Sequence, residues 1–147
     1  MQVPGTHISA GINNEDIFEF RNGIPGFEQF TRYVVIPHDD SFSFLQSVEK
    51  DSLAFIIANP FQFFENYELE ISANDLEELE IGNIEEVIVR SIITWGDELT
   101  SVTANLMAPI IFNAKNRRGK QVVLYPTSYN SKHPLIRNGQ DPKGRGV

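Results

Sequence analysis

Apolar residues in this chain come in short β-branched or aromatic stretches, each cut off within a few residues by proline, glycine or asparagine. Arg32–Ile36 is stopped by Pro37, Leu53–Ala58 by Asn59-Pro60, Val87–Trp95 by Gly96 and Ile110–Phe112 by Asn113. Such stretches are too short for amphipathic helices and carry the residue types that suit a pleated, half-buried surface. A chain of 147 residues fits one domain and can bury a core without staples. The expected fold is therefore mainly β, a small antiparallel β-barrel-like single domain with one or two short helices.

Finer expectations follow along the chain. Ile17–Phe20 reads as a strand, and Ile24-Pro25-Gly26-Phe27 suits a type II turn in which Gly26 takes the positive φ. Phe42–Val48 reads as a strand with Phe42, Phe44 and Gln46 on one side, and Leu53–Ala58 as a strand buried on both faces. Tyr67–Ile71 alternates apolar and acidic residues, which predicts one wet face. One helix follows, with Asn74 or Ser72 as its cap, Leu76 and Leu79 facing inward and Gly82 as its stop; Asn83–Glu86 adds a further turn. Val87–Trp95 is a long strand, Gly96-Asp97-Glu98 a hairpin loop, and Ser101–Ala108 an alternating strand interrupted at Pro109. Asn113–Gly119 is a basic turn and Gln121–Tyr125 the last strand. The domain is expected to span 1–135, with 136–147 as a flexible tail rich in Gly, Pro and basic residues.

Charge narrows the function classes. The formal net charge is −8, which disfavours direct nucleic-acid binding. Nine acids and no base lie between Glu65 and Glu86, whereas eight bases and one acid lie from Lys115 onward. The acidic stretch is either a solvated surface or a face for a basic partner. No secretory signal opens the sequence, and no apolar run approaches the roughly 20 residues of a membrane helix, so a cytoplasmic protein without a membrane partner is expected. The absence of cysteine excludes disulfides, thiolate nucleophiles and Cys-based zinc sites.

No catalytic constellation stands out, and no enzyme, cofactor or metal is expected. His7, His38 and His133 are far apart, and His38-Asp39-Asp40 reads as an ordinary loop. No nucleophile elbow, P-loop or dinucleotide fingerprint occurs. Trp95 and the phenylalanines are more economically core than ligand pocket. Asn59, Asn105 and Asn113 each follow or interrupt an apolar strand, as strand-end caps, satisfied buried amides or partner contacts.

Four segments, in order, resemble the FliW family of flagellar assembly factors. They are Phe20–Glu28; Phe44–Phe55 with Asn59-Pro60-Phe61; Thr103–Ile110; and Asn113…Asn116-Arg117-Arg118 with Gln121–Leu124 and Tyr129…His133-Pro134-Leu135. The resemblance runs from about Met1 to Leu135; the tail is extra, and Arg21 stands where the family often has Pro.

The resemblance implies a compact β-barrel and no enzyme. It implies a protein that binds flagellin in the cytoplasm and also binds CsrA, the small RNA-binding repressor of flagellin translation; a monomer is the default expectation for the chain on its own. An acidic protein is attracted to the basic surface CsrA presents to RNA. Glu77, Glu78 and Glu80, in the acidic helix, are the candidate contacts to CsrA. Flagellin's terminal segments suit an apolar contact with polar edges, for which Phe27, Asn105, Met107 and Asn113 are the candidates. Two other classes remain open at this point: a flavin-binding split barrel, and RNA binding through Lys115–Lys120, whose bases lack interleaved aromatics.

Overall fold

A computed structural model describes residues 2–3, 17–96 and 101–135. Its strands are β1 (Gln2–Val3), β2 (Ile17–Glu19), β3 (Arg32–Pro37), β4 (Phe42–Ser47), β5 (Ala54–Ala58), β6 (Leu69–Glu70), β7 (Val87–Thr94), β8 (Thr103–Ala104), β9 (Ile110–Asn113), β10 (Arg118–Gln121) and β11 (His133–Pro134). Two short helices, α1 (Pro60–Phe63) and α2 (Ala73–Glu78), and a 3₁₀ turn at Ile84–Glu86 complete it.

Seven strands close into a ring in the order β7-β5-β4-β3-β2-β10-β9, with β9 returning to β7. The mainly β, barrel-like expectation holds, with one correction. The strands are antiparallel except where β10 meets β2 in parallel, Arg118 opposite Glu19. An odd-numbered ring cannot alternate direction all the way round, so one parallel join is obligatory. The Glu19 amide donates to the Arg117 carbonyl there, at 2.9 Å.

Period-2 alternation then sorts the side chains into two cores. Phe18, Phe20, Tyr33, Val35, Leu45, Ile57, Ile88, Ile110 and Phe112 fill the barrel. The rings of Phe18 and Phe112 meet edge-on at 4.7 Å, and Phe20 meets Tyr33 edge-on at 5.2 Å. Gly119 lets β10 close over this cluster, since a Cβ there would lie 2.6 Å from the Phe20 ring. The second core lies outside the barrel wall. Val87, Val89 and Ile93 of β7 and Ile111 of β9 face Tyr67, Leu69, Ile71, Leu79, Ile81, Leu106, Val122 and Leu124. β7 and β9 thus serve both cores, which is why Val87–Val89 and Ile110–Asn113 are buried without a break. The doubly buried strand expected at Leu53–Ala58 is instead this wall, while Ala54 is exposed and Phe55 and Ile56 half-buried.

The turn at Ile24–Phe27 forms as expected: Gly26 has φ 92° and the Phe27 amide donates to the Ile24 carbonyl at 2.6 Å. Other expectations are corrected in detail. Ser72, not Asn74, caps α2, its hydroxyl accepting from the Asp75 amide at 3.1 Å. The helix stops before Gly82. Glu80 takes φ 57°, its amide donates to the Glu77 carbonyl, and the Ile81 amide donates to the Leu76 carbonyl. That is a Schellman motif closed by a non-glycine residue. Within Ser101–Ala108 only Thr103–Ala104 pair as a strand, because the chain bulges from Asn105 to Ala108, whose amide donates to Asn105 Oδ1 just ahead of Pro109. The last ring strand is Arg118–Gln121 rather than Gln121–Tyr125, since pairing with β9 begins directly after the Asn113–Arg117 turn. Val122 and Leu124 still donate to the Pro109 and Met107 carbonyls, both at 2.9 Å. The tail 136–147 and Asp97-Glu98 lie outside the described residues.

Candidate functional site

Among the described residues no group of three or more His, Asp or Glu side chains could hold a metal ion. In the His38-Asp39-Asp40 loop, Asp39 Oδ1 accepts from the Ser41 and Phe42 amides, both at 2.8 Å, and these bonds hold its carboxyl below the usual range. Likewise no helix there is long and apolar enough to cross a membrane.

The acidic helix α2 is partly neutralised from within. Lys120 Nζ lies 2.6 Å from Asp75 Oδ1 and 2.8 Å from Glu78 Oε1. Burial pulls the Lys120 ammonium down, but its hydrogen bonds to Asp75 and Glu78 and their charges outweigh this and leave its pKa raised. Arg118 pairs with Glu80 at 3.4 Å. Of the three candidate acids, Glu77 alone stands exposed with no ion pair among the described residues. Asp75 and Glu78, three apart on one helix face, signal a cation clamp. The cation itself arrives from a strand more than one hundred atoms of backbone away, so sequence reasoning placed Lys120 in a basic patch instead.

Asn113 sits directly beneath that helix. Its side chain is 1% exposed. Its Nδ2 donates to the Leu79 carbonyl at 2.8 Å and the Glu80 carbonyl at 3.2 Å, and its Oδ1 accepts from Lys115 N at 2.9 Å. Asn113 therefore joins the α2 acids but serves the fold. Asn105 is half-buried, and its Oδ1 accepts from the Ala108 amide at 3.0 Å, closing the bulge. Asn59 caps α1 through the Phe61 amide at 3.0 Å.

Met107 lies on the same bulge as Asn105, half-buried, its amide donating to Asn130 O at 3.2 Å. Phe27 is 37% exposed and meets Phe55 edge-on at 5.4 Å, apart from both groups. His133-Pro134 pairs with Thr103-Ala104, and the imidazole packs edge-on to Phe64 and Tyr129. This segment is a clasp over the second core.

Sequence reasoning missed the exposed apolar side chains. Trp95, expected in the core, is 49% exposed and meets Phe42 edge-on at 5.3 Å. Ile36 and Phe44 sit opposite one another on the outer barrel wall, next to Ile56 and Ile93. Val123 and Tyr125 are 65% and 93% exposed. Alternation in Gln121–Tyr125 was the available signal for the last two. Arg90, between Ile88 and Ile92, has its pKa pulled down to about 10 by burial, and one of its amino groups donates to the Val89 carbonyl at 2.8 Å.

Comparison with known proteins agrees with the barrel. Residues 6–135 match the family described as FliW protein. The flagellar assembly factor FliW of Bacillus subtilis (strain 168) is 45% identical over 131 residues, covering 88% of this chain and 92% of that protein. The flagellar assembly factor FliW of Natranaerobius thermophilus is 37% identical over 151 residues, covering 100% of this chain and 99% of the relative. A crystal structure of the flagellar assembly factor FliW superposes with a TM-score of 0.81 at 36% identity, covering 95% of this chain and 99% of that one. With the family matched from residue 6 to 135 and the barrel shared, the chain belongs to the FliW family of flagellar assembly factors.

Proposed function

We propose that this chain binds flagellin in the cytoplasm and antagonises the translational repressor CsrA, so that flagellin export is coupled to flagellin translation. The family match over residues 6–135, to relatives named as flagellar assembly factors, carries this reading. A net charge of −8 supports it, because an RNA-binding repressor must present a basic surface. Catalysis has no part in the reading.

Glu77, flanked by the internally paired Glu78 and Glu80, is the side chain we assign to the basic partner. Phe27 and Met107 are the apolar contacts we assign to flagellin. Asn105 and Asn113 act through the fold, holding the bulge and α2 in place. Calorimetric titration with the organism's own CsrA, repeated with flagellin already bound, tests the reading. Binding to CsrA that disappears when flagellin is present is the expected result. Failure to bind either protein would overturn it. Glu77→Lys should weaken CsrA binding and reduce its dependence on salt.

A further inference from the structure

Val122–Tyr125 runs on from the ring as an extended edge. The Val122 and Leu124 amides point to the Pro109 and Met107 carbonyls, so those of Val123 and Tyr125 point the opposite way. Among the described residues neither amide has a hydrogen-bond partner. Side chains alternate to match: Val122 and Leu124 are buried, Val123 and Tyr125 exposed. The open edge lines a groove of about 550 Å³ together with Glu68, Leu69 and Glu70 of the β6 segment and Gln2, which pairs with Glu70. Leu69 is buried, while Glu68 and Glu70 are exposed. Every ionisable carboxyl or amine lining the groove is acidic, and Lys120 already holds Asp75.

We infer that this groove accepts an extended segment of another protein as an added strand along Val122–Tyr125, with lysine or arginine at alternate positions. Main-chain bonds to Val123 and Tyr125 would supply affinity, and alternate side chains the selectivity. Basic residues would face Glu68 and Glu70, and the intervening apolar ones would lie against Val123 and Tyr125. Natural proteins usually blunt an edge of this kind with proline, lysine or a bulge. Here proline arrives only at Pro126, after the edge. The inference goes beyond the flagellar reading and stands whichever protein supplies the strand.

The test uses the full chain and an octapeptide alternating lysine with threonine and valine, followed by amide hydrogen exchange in NMR spectra. In the free protein the Val123 and Tyr125 amides should exchange fast, and the peptide should protect them. Its N-methylated form should fail to do so. Val123→Pro, which removes one edge donor, and a Glu68→Lys/Glu70→Lys double substitution should each weaken binding about tenfold. If the glutamate counterpart of the peptide binds as well, or the N-methylated peptide protects equally, the proposal is overturned. It is also overturned if these amides are already protected in the free protein, by a second copy or by residues 136–147. Concentration dependence and a chain ending at Leu135 would separate those two occupants.

Discussion

Asn113 Nδ2 donates to the carbonyl of Leu79 at 2.8 Å, joining the end of a ring strand to the last turn of α2. The residues are distant in sequence, and the bond lies in a fully buried position. It fixes how the acidic helix sits on the barrel, and each end of it is open to test.

Asn113→Ala should lower unfolding free energy by about 1–3 kcal/mol, because the half-buried Glu80 carbonyl and the Lys115 and Asn116 amides lose their partner, while the Leu79 carbonyl keeps only the Asn116 side-chain amide at 3.2 Å. Urea denaturation measures the loss. If Asn113 acts through the fold, flagellin affinity per folded molecule stays within twofold of the parent.

At Glu80 the usual helix preference should invert. Its φ of 57° suits glycine, so Glu80→Gly should be more stable than Glu80→Ala by about 1 kcal/mol. Both variants lose the ion pair with Arg118, so their difference isolates the backbone. Thermal melts of the two proteins read it.

Lys120 predicts an alkaline limb. Its folded pKa is raised above the ordinary 10.5, so its stabilisation is complete below that value and fades as pH rises through the higher folded one. Lys120→Met should lose about 0.5–1 kcal/mol at neutral pH and show a shallower alkaline decline than the parent. Comparing the two removes the contribution of Tyr33 and Tyr67, whose phenols burial also raises. Melting temperature against pH is the measurement.

Gly119→Ala should cost about 1–3 kcal/mol, since the added methyl meets the Phe20 ring and must push it into Tyr33 and Phe112. Near-ultraviolet circular dichroism and denaturant midpoints should move together.

What the sequence made legible was local. The Pro25-Gly26 turn, the wet face of Glu68 and Glu70, the turn after Asn83 and the burial alternation from Val102 to Ala108 each depend on neighbouring residues and appear where expected. What it hid was non-local. Nothing near Lys120 announces Asp75, and nothing near Asn113 announces Leu79. Val87–Val89 and Ile110–Asn113 carry the same apolar pattern as any buried strand, so their service to two cores was invisible. Trp95 was misplaced because its size argued for burial while its position, at the end of β7, leaves it at the rim.

The parallel join between β2 and β10 has a consequence for synthesis. Ile17–Glu19 is made early and Arg118–Gln121 late, yet each borders the other in the finished ring. Until the later strand leaves the ribosome, β2 and β7 are the two raw margins of an open sheet. Between the making of β7 and that of β10 the nascent chain is therefore an open ribbon, and β9 and β10 act as the zip that turns it into a tube.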